Sequence, residues 1–412
     1  MPLLEKSLGD YAPIVGPDVV ERIAALAAPL RGCRVLHINA TAYGGGVAEV
    51  LAAHVPLLRS VGIDAEWQVV RGSDEFFGIT KEVHNALQGA QIDWSSHKQR
   101  VYLEHILDNA TRLEGEWDFI VTHDPQPLAL RSFRRETPLG LSGAKWIWRC
   151  HIDLTAANSD VWEFFRPYVE THDASIWTLK EFAPDSLSMD RIVEAWPSID
   201  PLSVKNLDLP MPFAEELCRQ YGVDVRRPIV CQVSRYDPWK DPVGVIQAFR
   251  AVREKVTDAQ LLLAGSMATD DPEGFHVWEE VQEVRAGDPD IHTLSNLHQV
   301  GNVQINAFQR CADVVVQKSV REGFGLTVSE ALWKSRPVVG GRAGGIVIQI
   351  RDGFDGFLVG SVEECAARII DVLADPVGED AMGAQGHEHV RANFLATREL
   401  EDWLRLLTDL RE

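Results

Sequence analysis

Positive charge is what this chain is short of. Its 412 residues carry 40 Lys and Arg against 61 Asp and Glu, a formal net charge of −21. A surface of that sign repels a polyanion, which excludes nucleic acid as a partner but not a small phosphorylated ligand in a locally basic pocket. Long apolar runs are lacking too. No stretch reaches the ~18 residues that a membrane span requires, and the opening Met1-Pro-Leu-Leu-Glu-Lys-Ser7 has no secretory pattern. The expectation is a cytoplasmic protein with no membrane partner. Cysteine pairs are also missing. Cys33, Cys150, Cys218, Cys231, Cys311 and Cys365 form no C-x-x-C, and most lie in apolar runs. That reads as reduced, buried thiols, with neither disulfides nor zinc.

Several reaction signatures are absent. There is no G-x-G-x-x-G and no G-K-[ST], which removes support for nicotinamide dehydrogenases and P-loop NTPases. There is no H-E-x-x-H and no G-x-S-x-G nucleophile elbow. Asp288-Pro-Asp290 has the spacing of a sugar-nucleotide metal site, but it stands in a polar loop and not after a strand.

What is present is a soluble globular composition, 45% apolar and 25% charged, in a chain long enough for two domains. Strand-like runs alternate with helical patterns. In the first half they fall at 34–39, 66–70, 119–122, 145–148, 175–178 and 192–195. In the second half they fall at 229–233, 260–264, 314–316, 337–339 and 356–359. Such alternation predicts parallel sheets with helices on both faces. Prolines in Trp196-Pro-Ser-Ile-Asp-Pro201 break regular structure. The expected domains are 1–198 and 199–394, both doubly wound and Rossmann-like, with a last helix at 395–412 returning to the first. Ligands of such sheets sit at the carboxyl ends of strands.

The richest stretch is Glu322-Gly-Phe-Gly-Leu-Thr-Val-Ser-Glu330. It lies between an apolar strand and a helical pattern. Gly323 and Gly325 let backbone N–H groups approach a ligand, and the helix start carries partial positive charge. Glu322 is placed to accept hydrogen bonds from sugar hydroxyls, and Glu330, in the second turn of the helix and on the face towards the ligand, from a ribose. Upstream, Arg235 and Lys240 put two cations in one strand-to-helix loop, as a diphosphate requires. Gly44-Gly45-Gly46 opens a helix and allows close approach of a phosphate or sugar. His151 follows a strand. His84, Gln88 and the His123-Asp124 pair add polar groups in the first half.

Together these residues resemble the retaining GT-B glycosyltransferases that use nucleotide sugars. Asn39-Ala-Thr-Ala-Tyr-Gly-Gly-Gly-Val-Ala-Glu49, Asp74-Glu-Phe-Phe77, Thr80 to Gly89, His123-Asp-Pro-Gln-Pro127, Pro197-Ser-Ile-Asp-Pro201 and Arg321 to Ala331 are similar to the trehalose glycosyltransferring synthases. The resemblance implies a GT-B architecture of two Rossmann-like domains facing a cleft. It implies transfer of glucose from UDP- or ADP-glucose to free glucose, giving α,α-trehalose and NDP, reversibly. Arg235 and Lys240 would then hold the diphosphate. Glu322 would bind the donor glucose, with Gly323, Phe324, Gly325 and Leu326 beside it. Glu330 would bind the ribose, Gly45 and Gly46 the donor, and His151 the sugar near its anomeric carbon. His84, Gln88 and Asp124 would form the acceptor pocket. No tightly bound cofactor and no metal ligands are implied. Mg²⁺ is at most stimulatory and not required, and a homodimer is compatible. Three readings stay open beside it: a retaining trehalose phosphorylase, the same fold with another acceptor, and a non-catalytic sugar-nucleotide-binding protein.

Overall fold

The computed structural model describes residues 3–43, 45–136, 143–266 and 272–412. The chain forms two compact units. One comprises Met1–Pro197 with Ala396–Glu412, and the other Ser198–Leu395.

The first unit holds strands β1 (Arg34–Asn39), β2 (Asp64–Val69), β3 (Phe119–His123), β4 (Lys145–Arg149), β5 (Ala174–Trp177) and β6 (Ile192–Glu194). They pair in parallel in the order β2-β1-β3-β4-β5-β6. Alternation divides the faces. Leu36, Ile38, Ile120, Trp146 and Trp148 pack with Phe76, Val83, Tyr102 and Phe165 from the helices Asp74–Leu87, Ser96–Arg112 and Ser159–Val169. A fully buried side chain of this size contributes roughly 1.5–3 kcal/mol. Ser73 starts the first of these helices by accepting the Phe76 N–H at 3.2 Å. The other face is polar at its centre: His37, His123 and Arg149 are all buried there. The chain's last helix, Ala396–Arg411, belongs to this unit. Its Trp403 ring lies 5.5 Å from that of His37 and 5.2 Å from that of His54. Arg411 donates to the Pro29 carbonyl at 2.6 Å, and Arg191 to that of Asp409 at 2.8 Å.

The second unit holds β7 (Ile229–Arg235), β8 (Gln260–Ser266), β9 (Ile291–Ser295), β10 (Val314–Gln317), β11 (Val338–Gly341) and β12 (Gly356–Val359). Their parallel order is β12-β11-β10-β7-β8-β9. Val230, Leu261, Leu263, Val314 and Val316 pack with Val245, Phe249, Cys365 and Ile369 from the helices Pro242–Arg253 and Val362–Ala374. The strand order reverses between β7 and β10. That switch point is where a doubly wound sheet binds its ligand.

Both sheets are the parallel, doubly wound kind that the alternation predicts, with three corrections. β9 escapes the sequence reading, because His292, Thr293 and Ser295 dilute its apolar content. β7 runs to Arg235, which pairs with Ser266, so Arg235 ends a strand and does not stand in a loop. The helix expected at 243–256 is Pro242–Arg253. All six cysteines are free thiols, five of them buried. Among the described residues no helix is long and apolar enough to cross a membrane.

Candidate active site

In the second unit the switch point gathers charge. Arg235 ends β7 with its side chain half exposed, 2.8 Å from Asp237. A 3₁₀ turn, Pro238–Lys240, follows. The Lys240 carbonyl is held by Gln232 Nε2 at 2.8 Å, and Lys240 Nζ pairs with Glu322 Oε2. Past the end of β10, Lys318 pairs with Asp241. Asp241 takes the left-handed conformation, φ 48°, and caps Pro242–Arg253 by accepting the Gly244 N–H at 3.0 Å.

A chain of hydrogen bonds orients Glu322. Thr327 Oγ1 donates to Gln317 Oε1 at 3.1 Å, and Gln317 Nε2 to Ser319 Oγ at 3.0 Å. Ser319 Oγ then donates to Glu322 Oε2 at 3.2 Å, the oxygen that Lys240 also engages. Gly325 turns the backbone at φ 86° into the helix Leu326–Trp333. Phe324 is buried and anchors the turn, with Gln349 Nε2 donating to its carbonyl at 2.5 Å. Gly323 and Leu326 stay partly open on either side of it. The second support is a glycine pair: the Gly345 N–H donates to the Gly323 carbonyl at 3.2 Å, and Gly344 takes φ 47° against the Glu322 backbone.

Glu330 lies in the second turn of that helix, but it is closed off. It is 1% exposed, its Oε1 lies 2.9 Å from Lys205 Nζ, and its buried Oε2 has no hydrogen-bond partner among the described residues. Lys334 Nζ donates to Asn206 Oδ1 and to the Glu330 carbonyl, both at 3.0 Å. Burial lowers its pKa to about 7. Glu330 is therefore a buried carboxylate clasped by the 205 loop.

In the first unit the strand ends gather histidines. His37 Nδ1 meets His123 Nε2 at 3.0 Å, and His123 Nδ1 meets His151 Nε2 at 3.0 Å. Burial lowers the pKa of all three rings well below the ordinary imidazole range. Asp124 has φ 61° and is buried; its Oδ1 accepts the His151 backbone N–H at 2.8 Å. Burial raises the Asp124 carboxyl to about 6. Through that hydrogen bond it props the backbone of His151. His84 is half-buried near His151, and Gln88 ends its helix by donating to the His84 carbonyl at 3.4 Å. Gly45 precedes and Gly46 starts the helix Gly46–Ser60, and no atom lies within 4 Å of where a Gly45 Cβ would stand. Gly44 lies outside the described residues.

Each unit thus brings its own predicted residues together: Arg235, Lys240, Glu322 and the 323–326 turn in one, His84, Asp124 and His151 in the other. The sequence reading missed Lys318, Ser319, Gln317, Lys205 and the His37–His123 pair. Lys318 had a signal, since it follows a strand's carboxyl end at the switch. Lys205 had none, because only the fold brings it to Glu330.

The two units correspond to two family models. Residues 37–184 match "Trehalose synthase, N-terminal domain", and residues 213–389 match "Glycosyl transferases group 1". A trehalose synthase of Rubrobacter xylanophilus is 48% identical over 408 residues, covering 98% of this chain and 97% of its own. The chain belongs to the trehalose synthase family. It is a GT-B glycosyltransferase. The trehalose synthase of Pyrococcus horikoshii is 43% identical over 98% of this chain and 97% of its own. A trehalose phosphorylase of Pleurotus pulmonarius is 25% identical, covering 97% of this chain but 60% of its own. The solved UDP-forming α,α-trehalose-phosphate synthase of Burkholderia xenovorans, in complex with glucose 6-phosphate, shares the fold. Its TM-score is 0.73 at 15% identity, over 92% of this chain and 100% of that one. Membership makes this trehalose synthase family member a hexosyltransferase of trehalose chemistry.

Proposed function

We propose that the enzyme transfers glucose from a nucleoside-diphosphate glucose, UDP- or ADP-glucose, to free glucose, forming α,α-trehalose and NDP reversibly. The observation that carries this is the set of cations at the switch point. Arg235, Lys240 and Lys318 stand where β7 and β10 end, beside the amino end of Leu326–Trp333. A diphosphate bound there exchanges their internal carboxylate pairs for its own charge. The residues taken for the sugars, Gly45, Gly46, His84, Gln88, Asp124 and His151, include no lysine or arginine. That supports an uncharged acceptor over a sugar phosphate.

In this reading the bond from the anomeric carbon to the diphosphate breaks while one to the acceptor oxygen forms on the same face. The acceptor's proton passes to the leaving phosphate oxygen. Arg235 and Lys240 stabilise the charge that develops there. No metal is given a role, since the lysines and arginine already face the diphosphate.

The deciding experiment incubates purified enzyme with each NDP-glucose and free glucose in excess EDTA, with products identified by NMR. α,α-Trehalose is the expected product. Glucose 6-phosphate glycosylated in place of glucose overturns the acceptor. Turnover only with inorganic phosphate and trehalose means a phosphorylase, and complete dependence on added metal refutes the metal-free mechanism.

The two glutamates separate by calorimetry. Glu330→Ala weakens free NDP by at least ~10-fold, the worth of one charge-assisted hydrogen bond. Glu322→Ala leaves NDP affinity within ~3-fold but impairs binding and transfer of the glucosyl donor. The reverse pattern exchanges the two roles.

A further inference from the structure

His37, His123 and His151 form a row that the sheet register dictates. His37 on β1 pairs in register with Val121, so His123 stands two residues further along β3. His123 pairs with Arg149, so His151 stands two residues beyond that. Each step of two keeps the side chain on the same face. The row runs diagonally from the buried centre of the sheet to its carboxyl edge. Ring centroids are 5.3 Å apart at both steps, with interplanar angles of 30° and 20°, and each contact joins the Nδ1 of one ring to the Nε2 of the next.

A neutral imidazole has one N–H and one lone pair. With all three rings neutral, each contact needs one donor facing one acceptor. Only two patterns satisfy both contacts: every ring protonated at Nδ1, or every ring at Nε2. Any mixture sets lone pair against lone pair or N–H against N–H. The choice falls to the inner end. His37 Nε2 is buried and has no hydrogen-bond partner among the described residues. An orphaned buried N–H is the rarer and costlier state, compared with an orphaned acceptor. The lone pair therefore belongs on His37 Nε2, and the N–H on its Nδ1. His37 then donates to His123, and His123 donates to His151 Nε2. His151 is left with its proton on Nδ1, the nitrogen that takes no part in the row.

We propose that His123, itself committed by His37, is a positioning residue that holds His151 in the Nδ1–H tautomer, so that His151 meets the sugar as a hydrogen-bond donor. The sugar-facing role of His151 rests on the proposed function; the tautomer does not. An isolated imidazole on a strand edge would switch between donor and acceptor as its neighbours changed. Here a switch requires all three rings to shift together and to leave an N–H orphaned at the centre of the sheet. The recognition of one sugar oxygen is thus fixed two strands away from it.

The test uses full-length, ligand-free protein labelled with ¹⁵N-histidine. Long-range ¹H–¹⁵N correlation reads the tautomer of each ring, assigned through single substitutions. His37, His123 and His151 are expected to show the Nδ1–H pattern at neutral pH. In His123→Phe, His151 should shift towards the Nε2–H form that a free imidazole favours in water, with transfer reduced ~10-fold and free NDP affinity unchanged. His123→Leu, which likewise has no donor, serves the same purpose should the phenylalanine variant not fold. An Nε2–H His151 in the parent protein overturns the proposal, as does a His151 tautomer that ignores loss of His123. If the tautomers are as expected but no sugar transfer is found, the proposed function fails and the histidine row stands.

Discussion

Lys240→Ala and Arg235→Ala each lower trehalose formation by ~10²–10³-fold, the usual cost of removing one donor that stabilises developing charge. The two losses differ in kind. Arg235 sits half exposed against Asp237, which also accepts the Trp239 N–H at 2.9 Å, so water can replace the guanidinium and the cost in stability is the smaller one. The Lys240 and Glu322 side chains are 16% and 10% exposed. Removing Lys240 therefore also strands a mostly buried carboxylate, and stability falls with activity. Adding Glu322→Ala to Lys240→Ala should recover the stability and none of the turnover. Initial rates, with circular dichroism and thermal melts on the same preparations, measure all three. Near-normal rates in both single variants, with the fold intact, would falsify the diphosphate assignment.

Gly344→Ala is expected to abolish transfer from a position that touches no substrate. Gly344 has φ 47°, and a Cβ built on it stands 1.6 Å from the Glu322 carbonyl oxygen. That atom is backbone and cannot rotate aside, so the turn that aims Glu322 and caps Leu326–Trp333 must move. Backbone strain of this sort costs ~1–3 kcal/mol by itself, and the collision adds to it. Gly353→Ala is the control, with φ 77° but no atom within 4 Å. It should lose ~1 kcal/mol of stability and keep its activity. Parent-like melting and rates for Gly344→Ala contradict this account of the glycine pair.

The parallel sheets were legible because buried strands are written as short apolar runs, Val314-Val-Val in β10 being the plainest. β9 was not, since an edge strand with His292 and Thr293 reads as loop. The Glu322–Glu330 turn was legible for a local reason: strand end, glycines and helix start are contiguous. The burial of Glu330 was not, because Lys205 and Asn206 reach it and Lys334 from more than a hundred residues away. The histidine row was hidden for a related reason. In their own segments His123 and His151 stand out only singly, and His37 not at all. Only the pairing of β1 with β3 and of β3 with β4 makes them neighbours.

The helix Ala396–Arg411 gives the molecule an order of assembly. The amino-terminal unit is complete only after all of Ser198–Leu395 has been made, since Trp403, whose ring lies beside those of His37 and His54, follows that segment in the chain. Ser198–Leu395 is contiguous and has its own core, so it can fold while the earlier unit still waits for its lid. During that interval the polar face of the first sheet is open to water. The row of imidazoles is closed off only once Ala396–Arg411 has docked.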